Sequence, residues 1–242
     1  MVYEERFYRG ISRPHDLISY EVTIKETDLF CCTKKDLKSF IEGRVLFYRH
    51  QLEEYIRAKP VFKDSFIPVE YDTLAPSIVK EMIEASSRIG VGPMATVAGA
   101  IAEFVGRDVA PYSEEYIIEN GGDIYLQTYR ERVVLIYAKN SPFSERIGIK
   151  IRPDGLPLGI CTSSGTVGHS VSFGKADAVC IVGTSSLFAD GLATLLCNRV
   201  KHKHDIEPAI DTGKTFPGVH GIVIIVGEQL GIWGDVELID IV

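Results

Sequence analysis

Asp190 and Thr194 stand four residues apart in Ser185-Ser-Leu-Phe-Ala-Asp-Gly-Leu-Ala-Thr194, a stretch that opens on two hydroxyl residues and is otherwise apolar or small. On a helix this spacing puts both oxygens on one face, one turn apart. A carboxylate and a hydroxyl held together near a helix start are hard oxygen ligands of the kind Mg²⁺ or Ca²⁺ takes. An aspartate there also complements the helix dipole, so a plain capped core helix would use the same residues.

Four further segments could bring polar atoms to a ligand. In Gly90-Val-Gly-Pro-Met-Ala-Thr-Val-Ala-Gly99 a glycine-bearing loop that includes Gly92 feeds a helix start, whose free amides can hold a phosphate; glycines of this spacing also serve helix packing. Glu119-Asn-Gly-Gly-Asp123 carries hairpin turn residues, and Gly121 and Gly122 would also let a ligand lie on bare backbone with Asp123 accepting its hydrogen bonds. Cys161-Thr-Ser-Ser-Gly-Thr-Val-Gly-His-Ser170 packs Thr162, Ser163, Ser164 and Gly165 just beyond a predicted strand, where hydroxyls and amides suit a phosphate or a polar ring. His169, in the same loop, is a candidate proton-transfer residue near neutral pH. No Gly-x-Ser-x-Gly elbow is present, and Cys161 is expected to be buried rather than nucleophilic. In Lys201-His-Lys-His-Asp205 the two lysines would repel a metal ion from His202 and His204, which favours a solvated turn.

The elements that must position these groups alternate along the chain without a low-complexity linker, which predicts one unit over residues 1–242. Residues 21–33 form two extended pieces around a polar Lys25-Glu-Thr-Asp28 turn, and an amphipathic helix spans 35–58 until Pro60 ends it. A second helix is predicted at 77–88 and a small-residue helix at 94–104. Strands follow at 116–118, 124–129, 133–138, 147–151, 158–162 and 178–182, then the Asp190 helix, a polar segment, and strands at 221–226, 229–233 and 236–239. The pattern predicts an α+β fold, a mixed or antiparallel sheet packed with helices.

Composition narrows the partners. The formal charge of −7 argues against general nucleic-acid binding, which needs cations to displace counterions from phosphates. Five cysteines without a Cys-x-x-Cys pair read as reduced thiols of a cytoplasmic protein. No run approaches the roughly 18 apolar residues of a membrane span, and the first residues lack a basic-then-apolar signal profile. Hydrophobic content of 45% leaves room for an apolar contact surface, so a homo-oligomer is expected.

The ordered set of Gly92–Gly99 helix start, Gly121-Gly-Asp-Ile124, Thr162-Ser-Ser-Gly165 with its following histidine, and Phe188-Ala-Asp-Gly-Leu-Ala-Thr194 resembles the ApbE-like superfamily. It is closest to the small, largely uncharacterised branch beside the ApbE flavin transferases, whose N-terminal hallmarks Tyr8-Arg-Gly-Ile-Ser-Arg-Pro14 and Val22-Thr-Ile-Lys-Glu-Thr-Asp28 resemble. The resemblance implies an ApbE-like fold, with Asp190 and Thr194 as ligands to a magnesium ion that holds a flavin dinucleotide pyrophosphate. It also implies that Gly121, Gly122 and Asp123 line a flavin site for FAD or FMN. Mg²⁺ would there bridge carboxylate and phosphate oxygens and neutralise a leaving pyrophosphate.

The chain departs from the transferases at three places. His169-Ser-Val-Ser-Phe-Gly-Lys-Ala-Asp177 lacks their Asp-Pro pair, the Gly92–Gly99 segment lacks their lysine, and residues 21–33 lack their Met-Gly-Thr signature. The expected function is therefore binding of a small phosphorylated or nucleotide-like ligand, flavin among them, with an Mg-dependent transferase-type activity that is altered or lost. The alternative is a noncatalytic metabolite- or flavin-binding protein that serves a partner enzyme; the branch's link to sulfur assimilation into homocysteine suits either.

Overall fold

The computed structural model describes residues 14–165 and 174–241. Two sheets organise it. The larger has eight strands in the order β1 (Ile18–Ile24), β2 (Thr27–Thr33), β3 (Tyr116–Asn120), β4 (Asp123–Gln127), β7 (Leu158–Ser163), β8 (Ala178–Gly183), β9 (Val219–Val226) and β10 (Gln229–Gly234). The smaller orders β11 (Glu237–Asp240), β6 (Ile147–Ile151) and β5 (Arg132–Leu135). Every pairing is antiparallel, which narrows the expected mixed or antiparallel sheet to an antiparallel one and confirms the α+β class.

Helices α1 (Lys38–Ala58), α2 (Val61–Asp64), α3 (Ser77–Ile89), α4 (Val97–Val109), α5 (Ser186–Arg199) and α6 (Ile206–Gly213) cover one face of the large sheet, and the small sheet packs against the other. The central strands are therefore apolar on both sides. In β8, Val179 and Ile181 pack toward α5 while Ala178, Cys180 and Val182 pack toward Ile149 and Ile151 of the small sheet. Strand alternation assigns each residue to one layer. A separate core joins α1, α3 and α4 to the β1–β4 half through Ile41, Val45, Met82, Ile83, Phe104 and Tyr116.

The predicted elements recur with several differences, among them the unpredicted short helix α2 and the strand expected at 133–138, which ends at Leu135. Helix α1 starts three residues later than expected, where the Asp36 carboxylate accepts the Lys38 amide at 2.9 Å. The small-residue helix splits into a 3₁₀ turn, Pro93–Thr96, and α4, because Pro93 fixes the entry. Helix α6 replaces part of the segment read as polar and irregular; its proline, Pro208, lies in the first turn, where a missing N–H costs no helical bond. No single helix among the described residues is long and apolar enough to cross a membrane.

Candidate ligand and metal site

Asp123 opens β4 directly after a two-residue turn made by Gly121 and Gly122, which have φ of +70° and +105°. Both residues of a type I′ turn need positive φ, so glycine at both positions is dictated by the hairpin itself. In register, Asp123 faces Cys161 of β7, and Cys161 faces Ile181 of β8, all on the helix-covered side. Among the described residues, a Cβ on Gly122 would meet only the Thr162 carbonyl, at 4.0 Å.

Helix α5 lies across these strands and carries Asp190 and Thr194, each 8% exposed. The Thr194 hydroxyl shares a 3.2 Å hydrogen bond with Ser163 of β7. Asp190 Oδ2 accepts the Gly99 amide at 2.9 Å, and the Ala98 amide also supports its charge. Those amides belong to the first turn of α4, whose own N-cap residue, Thr96, makes no side-chain cap. Asp190 thus caps a helix that is 91 residues away in sequence.

Burial, and then repulsion from Asp123, hold the Asp190 carboxyl well above the usual carboxylate range, while the two amides pull the other way. Two carboxylates in one buried site cannot both ionise freely without a counter-charge. The same surroundings push the Cys161 thiol up; its Sγ donates to the Ser186 carbonyl at 3.1 Å. The oxygen set of Asp123, Asp190, Thr194 and Ser163 is hard, and its excess negative charge is what a divalent cation would neutralise. These residues fit Mg²⁺ by donor chemistry.

Sequence-predicted residues divide between this site and its surroundings. Asp123, Ser163, Asp190 and Thr194 come together, with Gly121 and Gly122 at the rim. Thr162 does not join them: alternation turns its side chain to the opposite face, where it bonds to Cys180. Gly165 donates its amide to the Ala176 carbonyl, and its missing Cβ makes room for the Gly174 backbone. Ser164 immediately precedes this tie. Gly92 leads into the 3₁₀ turn with ordinary φ, and a side chain there would collide with the Ser65 carbonyl, so packing accounts for it. His169 lies outside the described residues. The segment around His202 and His204 forms a capped surface turn in which Asp205 accepts the Lys201 and His202 amides at 2.8 Å, and all five cysteines are buried and outside any disulfide.

Sequence reasoning missed Glu103. It is 2% exposed on α4, and its Oε2 accepts the Ser185 hydroxyl at 2.7 Å and the Leu187 amide at 3.0 Å, capping α5 from outside. Its signal was a lone carboxylate on the buried side of an Ala, Ile, Phe and Val helix, a residue type almost never fully buried unless paired.

Helices over one face of an antiparallel sheet make this an α+β protein with the fold of ApbE proteins. The chain belongs to the family described as AbpE bacteria, whose model matches residues 10–232. It is 38% identical over 223 residues to a UPF0280 protein of Methanocaldococcus jannaschii, covering 89% of this chain and 90% of that protein. A UPF0280 protein of Methanococcoides burtonii is 40% identical over 209 residues, 84% of this chain and 88% of the other. Among solved structures, the flavinyl transferase ApbE of Pseudomonas stutzeri superposes with a TM-score of 0.62 at 14% identity, over 90% of this chain and 93% of that one. The ApbE protein of Thermotoga maritima gives 0.54 at 12% identity, over 89% and 96%. At such identity these two similarities establish the fold.

Proposed function

We propose that this protein binds a small phosphorylated or nucleotide-like ligand, a flavin nucleotide being the class to test first, through a divalent cation held by Asp190, Asp123 and Thr194. The observation that carries this reading is the buried Asp123 and Asp190 pair, whose mutual repulsion and burial hold the Asp190 carboxyl well above the usual carboxylate range. Mg²⁺ bound there would supply charge neutralisation for phosphate oxygens. The chain's own groups do the rest. Gly99 and Ala98 amides orient Asp190, Ser163 holds the Thr194 hydroxyl, and the Gly121-Gly122 turn leaves bare backbone for a flat ligand to approach. A transferase-type activity belongs to the same reading, since a cation-bound pyrophosphate is a ready leaving group. The fold shared with a flavinyl transferase supports flavin as the first class.

Equilibrium dialysis against FAD, FMN, riboflavin and ATP, each with and without Mg²⁺, tests this. Magnesium-dependent retention of the pyrophosphate-bearing ligands, lost in Asp190→Ala, is the expected result. Retention that ignores both Mg²⁺ and Asp190 would remove the cation from the account.

A further inference from the structure

Helices α4 and α5 cap one another. Asp190 of α5 accepts the third amide of α4, from Gly99, and Glu103 of α4 accepts the second amide of α5, from Leu187. Between these bonds the Ser186 hydroxyl donates to the Gly99 carbonyl at 2.8 Å, so both backbone groups of Gly99 are held by α5. A side chain at Gly99 would collide with the Ser186 carbonyl, which shows that the two helix starts touch at backbone distance.

Glu103 is not needed to start α5. Ser185 already caps it, its hydroxyl accepting the Phe188 amide at 3.2 Å. Burying a carboxylate is costly unless it is fully partnered, and Glu103 is: Arg107 holds its second oxygen, and Glu81 holds Arg107 at 2.9 and 3.0 Å. What the extra cap adds is registration of one helix against the other.

We infer that Glu103 is a positioning residue for the Asp190 site: by gripping the first turn of α5 it fixes the point at which Asp190 meets the Gly99 amide. The inference rests on reading Asp190 as a ligand-site residue only for its functional consequence; the registration itself is a separate observable. Removing a group bonded directly to a metal ligand typically costs about 10- to 100-fold in metal affinity; Glu103 acts one contact further out, so the lower end of that range is expected.

The test compares wild type, Glu103→Ala, Glu103→Gln and a control, Ile149→Ala, whose cavity lies on the opposite face of the sheet. Amide hydrogen exchange at Gly99 and Leu187 is read by NMR, and Mn²⁺ binding, as a hard divalent probe, by electron paramagnetic resonance. Glu103→Ala should accelerate Gly99 exchange well beyond the control at matched stability and weaken Mn²⁺ about ten-fold. Glu103→Gln, which keeps an oxygen acceptor for Leu187, should recover most of both. Equal Gly99 protection in Glu103→Ala and the stability-matched control overturns the positioning role. Gly99 protection lost while even wild type takes no Mn²⁺ upholds the positioning role and instead overturns the cation reading. If Glu103→Ala does not fold, Glu103→Asp, which keeps a carboxylate but draws it back from the Ser185 hydroxyl and the Leu187 amide, provides the same comparison.

Discussion

The Asp190 carboxylate accepts the Gly99 amide at 2.9 Å, joining the residue that most suggests a cation ligand to the first turn of a different helix. The bond makes the site and the packing of α4 on α5 one structure. Gly99→Ala should therefore act on both. Its Cβ would be driven into the Ser186 carbonyl and the Asp190 side chain, and overpacking of this kind costs about 1–3 kcal/mol. Chemical denaturation should register that loss, with Mn²⁺ binding falling alongside it.

Asp123 and Asp190 repel each other in a buried site, so neutralising one should relieve the other. Asp123→Asn is expected to stabilise the cation-free protein by about 1 kcal/mol, the scale of one pKa unit, while reducing Mg²⁺ affinity. A thermal melt with and without Mg²⁺ reads both effects. A variant that is less stable than wild type in both conditions would mean that the aspartate serves packing rather than a ligand.

Acid sensitivity should come from elsewhere in the fold. Asp16, gripped by Arg132 at 2.6 and 2.8 Å, is held at about 2, and Glu115, bonded to Lys34 and Arg132, is also held at about 2. Both lie below their ordinary values of 3.8 and 4.5. A depressed folded value means the stabilisation is complete above the unfolded value and is lost as pH falls through the folded one. The melting temperature should thus fall between about pH 4.5 and 2, and Arg132→Leu should lower it at neutral pH while flattening that decline.

Burial pushes the Cys180 thiol up to about 12 and raises Cys161 as well, and all five cysteines are buried. Since the thiolate is the reactive form, native protein at pH 8 should take up no maleimide. Denatured protein should take up five equivalents, matching the five cysteines of the chain. Labelling of native protein at Cys161 would show that the carboxylate pair is open enough to admit a reagent.

Much of this architecture was legible in the sequence. Residues 178–182 and 221–226 are strongly β-forming and recur as β8 and β9, and the Asp190 helix announced itself through its two hydroxyl residues. What sequence could not supply is which elements meet. The small sheet joins 132–151 to 237–240, and period-two patterning marks a strand without naming its partner. Asp123 and Asp190 were both singled out, yet their encounter depends on the β4–β7 register and on how α5 lies across it. Thr162 and Ser163 looked equivalent as neighbouring hydroxyls; pairing with Cys180 and Val179 sends them to opposite faces. Glu103 stayed hidden because its role lies in the first turn of a helix 82 residues further on.

The most direct test of the proposed cation site is calorimetric titration of flavin dinucleotide into the purified protein, with and without Mg²⁺, on wild type and Asp190→Ala. Binding should require Mg²⁺ and disappear with the Asp190 carboxylate. No heat from wild type in either condition would contradict the flavin reading, and binding unchanged by Mg²⁺ and by the substitution would contradict the site.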